Sequence, residues 1–265
     1  MEYLFAHFNK IEELLRNKFI LLFLDYDGTL TPIAEVPNRA VMSQEVSGLL
    51  QKLSKSPYCK IGIISGRSLE DIKNTVGMKG VIYAGNHGLE IEGPKIKFKS
   101  QVSPKLKLVI RNIAEDMRER LSNIKGVLIE DKGLTASVHY RLVDKKDIPI
   151  LKKIISEVIG PYVVRDKIKI DSGKKVYEIK PPVKWDKGKV VLWLMARQQF
   201  AAGKREAVPV YIGDDVTDED AFKVLKKKGL TIFVGEPGSS NAGYYLKNTK
   251  EVTRFLGLIS KIKHN

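Results

Sequence analysis

The chain has 265 residues, 43% hydrophobic and 29% charged, a balance that fits a globular fold and excludes disordered, collagenous and disulfide-scaffold classes. Its 46 basic and 31 acidic side chains leave a formal charge of +15, which favours anionic partners without specifying a chemistry. A lone cysteine, Cys59, excludes an intrachain disulfide, and the longest apolar run, Phe19 to Leu24, is far short of the ~20 residues a bilayer span needs.

The opening residues lack the basic-then-apolar order of a signal peptide, so a cytoplasmic protein is expected. Residues 7–17 have helical apolar spacing, and 19–24 read as a strand covered on both faces. A helix at 44–54 follows Ser43, a strand at Lys60–Ile64 ends in Ser65-Gly66-Arg67, and Ser68 caps a short helix. A third strand, Val81–Ala84, runs into Gly85-Asn86-His87-Gly88, and a hairpin follows at Leu89–Glu92 and Lys95–Lys99. Alternation of strand and helix at this spacing predicts right-handed crossovers and a parallel sheet.

From 104 to 180 the rhythm changes to helix 105–121, strands 126–131 and 134–140, helix 147–159, and strands 162–171 and 175–180. This αββαββ order predicts a separate α+β domain, left through the stiff pair Pro181-Pro182. The parallel rhythm then returns: helix 187–200, strand 208–212, helix 218–227, strand 230–234 and helix 249–262. The expected fold is α/β, a Rossmann-like parallel-sheet core spanning 1–103 and 182–265 with an inserted α+β cap domain at 104–181.

Three apolar strands end in polar residues: Asp25-Tyr26-Asp27-Gly28-Thr29, Ser65-Gly66-Arg67, and Gly213-Asp214-Asp215-Val216-Thr217-Asp218. In open parallel sheets ligands bind beyond the carboxyl ends of the strands. Carboxylates crowded there need a compensating cation, and an oxygen-only donor set favours Mg²⁺. An aspartate beside such an ion is a competent nucleophile toward phosphorus, and a second one two residues on can exchange the proton of the leaving oxygen. Asp-Gly alone is also a common turn, and Ser65 alone a common cap; it is the three strand ends in this order that point to phosphoryl chemistry. Lys187 begins a helix, where the dipole disfavours a cation unless an anion lies beside it, as in a phosphate grip.

These segments, with Lys187-Gly188 and Gly213–Asp220, resemble the motifs of the haloacid dehalogenase superfamily, and within it the trehalose-6-phosphate phosphatases, over Leu21 to Phe255. The resemblance implies an enzyme that is a Mg²⁺-dependent phosphoric monoester hydrolase. Its implied roles are nucleophile for Asp25, acid/base for Asp27, and phosphate ligands for Ser65 and Lys187. Asp25, Asp214 and the Asp27 backbone carbonyl are the implied metal ligands, supported by Thr29, Arg67, Asp215 and Asp218. Ala84–Gly88 and Gly173–Pro181 resemble sugar-facing segments, which makes Asn86, His87, Arg141, Lys174 and Glu178 the expected substrate contacts. The sequence departs from the family pattern at Asp186 and Lys180.

A sugar phosphate is the expected partner, with trehalose-6-phosphate synthase in the same pathway and neither nucleic acid nor membrane. Sucrose phosphate, a mannosyl- or glucosyl-phosphoglycerate, and a phosphomutase reaction are alternatives with the same chemistry. A basic nucleic-acid-binding protein would fit the charge, but the lysines are scattered with few interleaved aromatics. A receiver-type switch would use the same aspartates but has no need of an inserted cap.

Overall fold

The computed structural model describes the backbone of residues 1–202 and 206–262, in two compact units: Met1–Phe98 with Trp185–Asn265, and Lys99–Lys184. In the first unit the strands are Glu2–Tyr3 (β1), Phe19–Leu24 (β2), Cys59–Ile64 (β3), Ile82–Gly85 (β4), Glu90–Gly93 (β5) and Ile96–Lys99 (β6), the last ending at the unit boundary. Between them lie helices Phe8–Leu15 (α1), Gln44–Lys55 (α2) and Leu69–Val76 (α3). The second unit contains Pro104–Arg120 (α4), Leu128–Asp131 (β7), Ala136–His139 (β8), Ile148–Val164 (α5), Lys169–Gly173 (β9) and Val176–Lys180 (β10). The first unit resumes with Lys187–Ala202 (α6), Ala207–Gly213 (β11), Glu219–Leu225 (α7), Leu230–Val234 (β12), Tyr244–Leu246 (β13) and Thr249–Ile259 (α8).

The local chemistry explains these boundaries. All six residues of β2 are buried, as a strand with both faces covered requires. The hydroxyls of Ser43, Ser68 and Ser103 accept from the backbone N–H groups of Val46, Asp71 and Leu106, so each caps its helix. Asn248 does the same for α8 through the N–H of Glu251.

Among the described residues the large sheet has the order β1-β13-β12-β11-β2-β3-β4-β5-β6. The pairs from β1 through β4 are parallel, and β5 turns back antiparallel on β4. From β2 the chain steps outward through β3 to β4, and after the second unit it steps the other way from β11 through β12 to β13. The order therefore reverses between β2 and β11, the switch point where a crevice opens at the carboxyl ends. One apolar layer packs Ile20, Leu22 and Leu24 with Leu50, Phe255 and Leu256, and the opposite layer packs Phe19, Leu21 and Phe23 with Val190, Leu194 and Phe222. The alternation along β2 thus feeds both layers.

The second unit has a four-stranded antiparallel sheet of order β7-β8-β10-β9. Ala136, Val138 and Ile179 on one face join Ile110, Ile113, Met117, Leu151 and Ile155 of α4 and α5 in a single core. One boundary differs from expectation: residues 162–164 continue α5 instead of opening a strand. Pro161 removes only one helical N–H, and Tyr162 packs on the core as the next step of the stripe through Leu151, Ile155 and Val158. The short strands β1, at the sheet edge, and β13, between β1 and β12, lack an alternating pattern long enough to read in the sequence. Among the described residues no helix is long and apolar enough to cross a membrane.

Leu22 is fully buried at the centre of this sheet, paired with Val210 on one side and Ile61 on the other. Leu22→Ala is expected to lower stability by about 3 kcal/mol, read as a lower denaturant midpoint at unchanged slope.

Candidate active site

Asp25 is the first residue beyond β2, and its N–H donates to the Ile212 carbonyl of β11 (2.9 Å), so the ladder itself carries Asp25 to the switch point. The chain then folds back through Gly28 N–H to the Thr31 carbonyl (2.8 Å) and Leu30 N–H to the Tyr26 carbonyl (2.9 Å). Gly28 has φ +91°, and a Cβ there would lie 2.1 Å from Asp214 Oδ2. Glycine is required twice over, by backbone conformation and by the carboxylate lying across it.

Asp214 and Asp218 come from the other side of the switch, after β11. Asp218 is fully buried and fully engaged: Oδ2 accepts from the N–H groups of Asp214 and Asp215 (both 3.0 Å), and Oδ1 from Tyr211 Oη and Lys187 Nζ (both 2.7 Å). Four donors on one carboxylate make it the fastener that shapes the 214–215 backbone. Lys187, only 3% exposed, also donates to Asp25 Oδ1 at 2.7 Å. The conflict between a cation and a helix start is thereby resolved by two carboxylates.

Ligand atoms of Asp25, Asp214 and Asp218 lie within 4.8 Å of one another, and all three residues are buried. Three carboxylates with one ammonium carry two excess negative charges when ionised. Burial pushes the Asp25 carboxyl well above the ordinary carboxylate range, with Asp218 and Asp214 adding to the rise against the pull of Lys187. Burial works against the Lys187 ammonium too, but Asp218 and Asp25 outweigh it and hold it above its usual range. A divalent ion would cancel the excess charge and keep Asp25 ionised, and carboxylate oxygens are the donors a hard cation takes. By charge and donor type, the residues fit Mg²⁺.

Ser65 and Arg67 follow β3. Ser65 N–H donates to the Ala84 carbonyl (2.9 Å), and its Oγ accepts from Arg67 N–H (3.1 Å). The Arg67 guanidinium is buried and holds Asp27 in a bidentate fork, Nε to Oδ2 at 2.8 Å and Nη2 to Oδ1 at 2.7 Å. It also donates to Asp71 Oδ2 (3.0 Å) and the Pro37 carbonyl (2.6 Å), and it lies over the Tyr26 ring at 5.1 Å. Asp27 itself is 39% exposed at its side chain, so it is anchored yet reachable. Asn86 and His87 are buried, with left-handed φ of +50° and +55° that cost on the order of 1–3 kcal/mol each.

Thr29 is buried in the turn after Asp25, whereas Asp215 caps the following 3-10 turn by accepting from Val216 N–H at 2.8 Å. Asp186 turns from Lys187 to its own helix, accepting from Lys189 N–H and Nζ (both 2.8 Å), and so caps α6. In the second unit Glu178 is buried on β10 and accepts from Ser137 Oγ (2.8 Å) and Lys132 Nζ (3.3 Å). Lys174 is exposed in the β9–β10 turn, its carbonyl held by Arg141 at 2.5 Å, and Lys180 pairs with Asp171 at 2.6 Å.

Tyr211 and Lys132 also belong to these networks, and neither carries a sequence signal for it. Tyr211 looks like one more apolar residue of β11, and only the fold shows its hydroxyl reaching Asp218.

Residues 23–250 match the family model described as trehalose-phosphatase. The chain is 37% identical over 261 residues to probable trehalose-phosphate phosphatase D of Arabidopsis thaliana, covering 94% of this chain and 69% of that protein. It is 36% identical to trehalose-phosphate phosphatase B of the same plant, covering 94% and 68%. Among solved structures, one described as a trehalose-6-phosphate phosphatase related protein is 27% identical with a TM-score of 0.76, covering 91% of this chain and 96% of that one. The C-terminal domain of C. albicans trehalose-6-phosphate phosphatase shares the fold at 23% identity and a TM-score of 0.82, covering 98% and 97%. A haloacid dehalogenase-like hydrolase from Bacteroides thetaiotaomicron shares it at 17% and 0.64, covering 91% and 100%. With its strand-end motifs gathered at one crevice and these relatives along nearly its whole length, the chain belongs to the trehalose-phosphatase family, enzymes that hydrolyse a phosphoric monoester on a haloacid dehalogenase-like fold.

Proposed function

We propose that the chain hydrolyses trehalose 6-phosphate to trehalose and phosphate, with Mg²⁺ held by Asp25, Asp214 and the Asp27 backbone carbonyl. The observation that carries this reading is the buried group of Asp25, Asp214 and Asp218 bridged by Lys187. When bound, the ion would supply positive charge to the phosphate oxygens and keep the carboxylates ionised. Asp218 is left with the framing role, because its oxygens already accept four hydrogen bonds.

In the first step an Asp25 carboxylate oxygen forms a bond to phosphorus as the bond from phosphorus to the sugar oxygen breaks. The leaving oxygen takes a proton from Asp27, giving trehalose and an aspartyl-phosphate. Asp27, now ionised, takes a proton from water as that water attacks phosphorus, and Asp25 departs as carboxylate. Arg67 fixes the plane of the Asp27 carboxylate, and each oxygen keeps a lone pair for this exchange. Lys187 and Ser65 hold the transferring phosphoryl group, where charge neutralisation and positioning supply most of the rate.

The second unit is proposed to act as the specificity domain, with Glu178, Lys174 and Arg141 holding sugar hydroxyls. Glu178 sits in register with Ser137 on one side and Asp171 on the other, a polar row on the sheet face opposite the α4–α5 core. The substrate is expected to come from trehalose-6-phosphate synthase. A cytoplasmic location fits a chain whose single cysteine, Cys59, cannot form an intrachain disulfide.

Asp25→Asn is expected to reduce phosphate release from trehalose 6-phosphate below about a thousandth of wild type; near-normal turnover in a purified sample would refute the nucleophile. Glu178→Ala is expected to raise KM for trehalose 6-phosphate about tenfold or more while changing that for p-nitrophenyl phosphate little. Equal effects on both substrates would remove Glu178 from sugar recognition.

A further inference from the structure

We infer that Asn86 and His87 are positioning residues that brace the Ser65-Gly66-Arg67 turn, and that position 66 is glycine because the His87 ring occupies the space of its side chain. The inference rests on the phosphatase reading only for what that turn holds, a phosphate group.

Three consecutive residues, Asn86, His87 and Gly88, take left-handed φ of +50°, +55° and +94°. This conformation aims two successive N–H groups at the turn after β3. Asn86 N–H donates to the Arg67 carbonyl at 2.6 Å, and His87 N–H to the Ser65 carbonyl at 2.9 Å. The carbonyls on both sides of Gly66 are therefore pinned from the neighbouring strand end, and so is the backbone that aims Ser65 Oγ. Asn and His tolerate the left-handed region better than most residues.

The side chains complete the brace. A Cβ on Gly66 would lie 2.8 Å from both Cε1 and Nε2 of His87, closer than van der Waals contact allows. A Cβ on Gly85 would meet Leu69 N at 2.3 Å, so the two segments pack backbone against backbone along their length. Asn86 donates its side-chain amide to Glu90 Oε2 at 3.1 Å. The far end is fixed as well: the Gly88 carbonyl accepts from Trp185 Nε1 at 2.7 Å, and a Cβ there would overlap Val190 Cγ2 at 1.9 Å. The left-handed run is thus locked by packing at both ends, which is the condition under which backbone strain persists. The sequence suggests these two residues as sugar contacts; buried, and joined to the phosphate turn by backbone hydrogen bonds, they instead set where Ser65 stands.

The test is a double-mutant cycle read by calorimetric titration with inorganic phosphate in the presence of Mg²⁺. Gly66→Ala is expected to weaken phosphate affinity about tenfold or more, and adding His87→Ala to restore it to within about threefold of wild type. Unchanged affinity in Gly66→Ala, or no recovery in the double variant, overturns the inference. So does His87→Ala weakening the affinity for trehalose while leaving that for phosphate intact, the mark of a sugar contact. Should Gly66→Ala fail to fold, recovery of a cooperative thermal transition in the double variant supports the brace, and failure of both variants overturns it. A wild-type protein that binds phosphate yet releases none from trehalose 6-phosphate would sink the proposed function while leaving this cycle readable.

Discussion

The structure depends on a charge imbalance buried at the carboxyl ends of β2 and β11. Asp25, Asp214 and Asp218 meet there, and a single ammonium, Lys187, donates to Asp25 and Asp218. An isolated buried carboxylate is so costly that it neutralises by taking up a proton, and that is the direction in which burial drives Asp25. As the proposed nucleophile Asp25 has to be ionised, and a divalent ion would offset the negative charge that one ammonium among three acids leaves uncompensated. Such an ion would let Asp25 be both buried and ionised.

The fold makes this crowding possible. Reversal of strand order between β2 and β11 brings the first and last acidic segments side by side although nearly 190 residues separate them. Glycines then let backbone and carboxylate share the same small volume: Gly28 lies under Asp214, and Gly213 leaves room for Asp218. Asp218 spends its four hydrogen bonds on architecture, and Tyr211 anchors it from within the sheet. Arg67 plays the corresponding part on the other side, tying Asp27 to α3 through Asp71 and to the 37–39 turn through the Pro37 carbonyl. Asp218 and Asp27 are thus each held by several donors, which leaves these two carboxylates little freedom.

Much of this was legible in the residues themselves. The doubly buried strand 19–24, the serine caps and the change to an αββαββ order are local or short-range signals, and they survive folding because each reflects a backbone group that must find a partner. The catalytic candidates were legible because polar residues directly after apolar strands have nowhere to point except the sheet's rim. What the sequence could not show was partnership at long range. Nothing in the run Ala207–Gly213 marks Tyr211 as a hydrogen-bond donor to an acid, and nothing near Lys132 marks it as a neighbour of Glu178 across the sheet. The extension of α5 through Pro161 was hidden for the opposite reason: a strong local breaker was overridden by packing of the next turn on the core. Asp186, which stood out as an anomaly beside Lys187, proved to be a helix cap facing its own turn.

Whether the buried acids form a site for one divalent ion is decided by calorimetric titration of Mg²⁺ into metal-free protein, wild type beside Asp214→Asn. One ion per chain is expected for wild type, with affinity about tenfold or more weaker in the variant. Absence of saturable binding to a folded wild-type chain, or equal affinity in the two proteins, would contradict it.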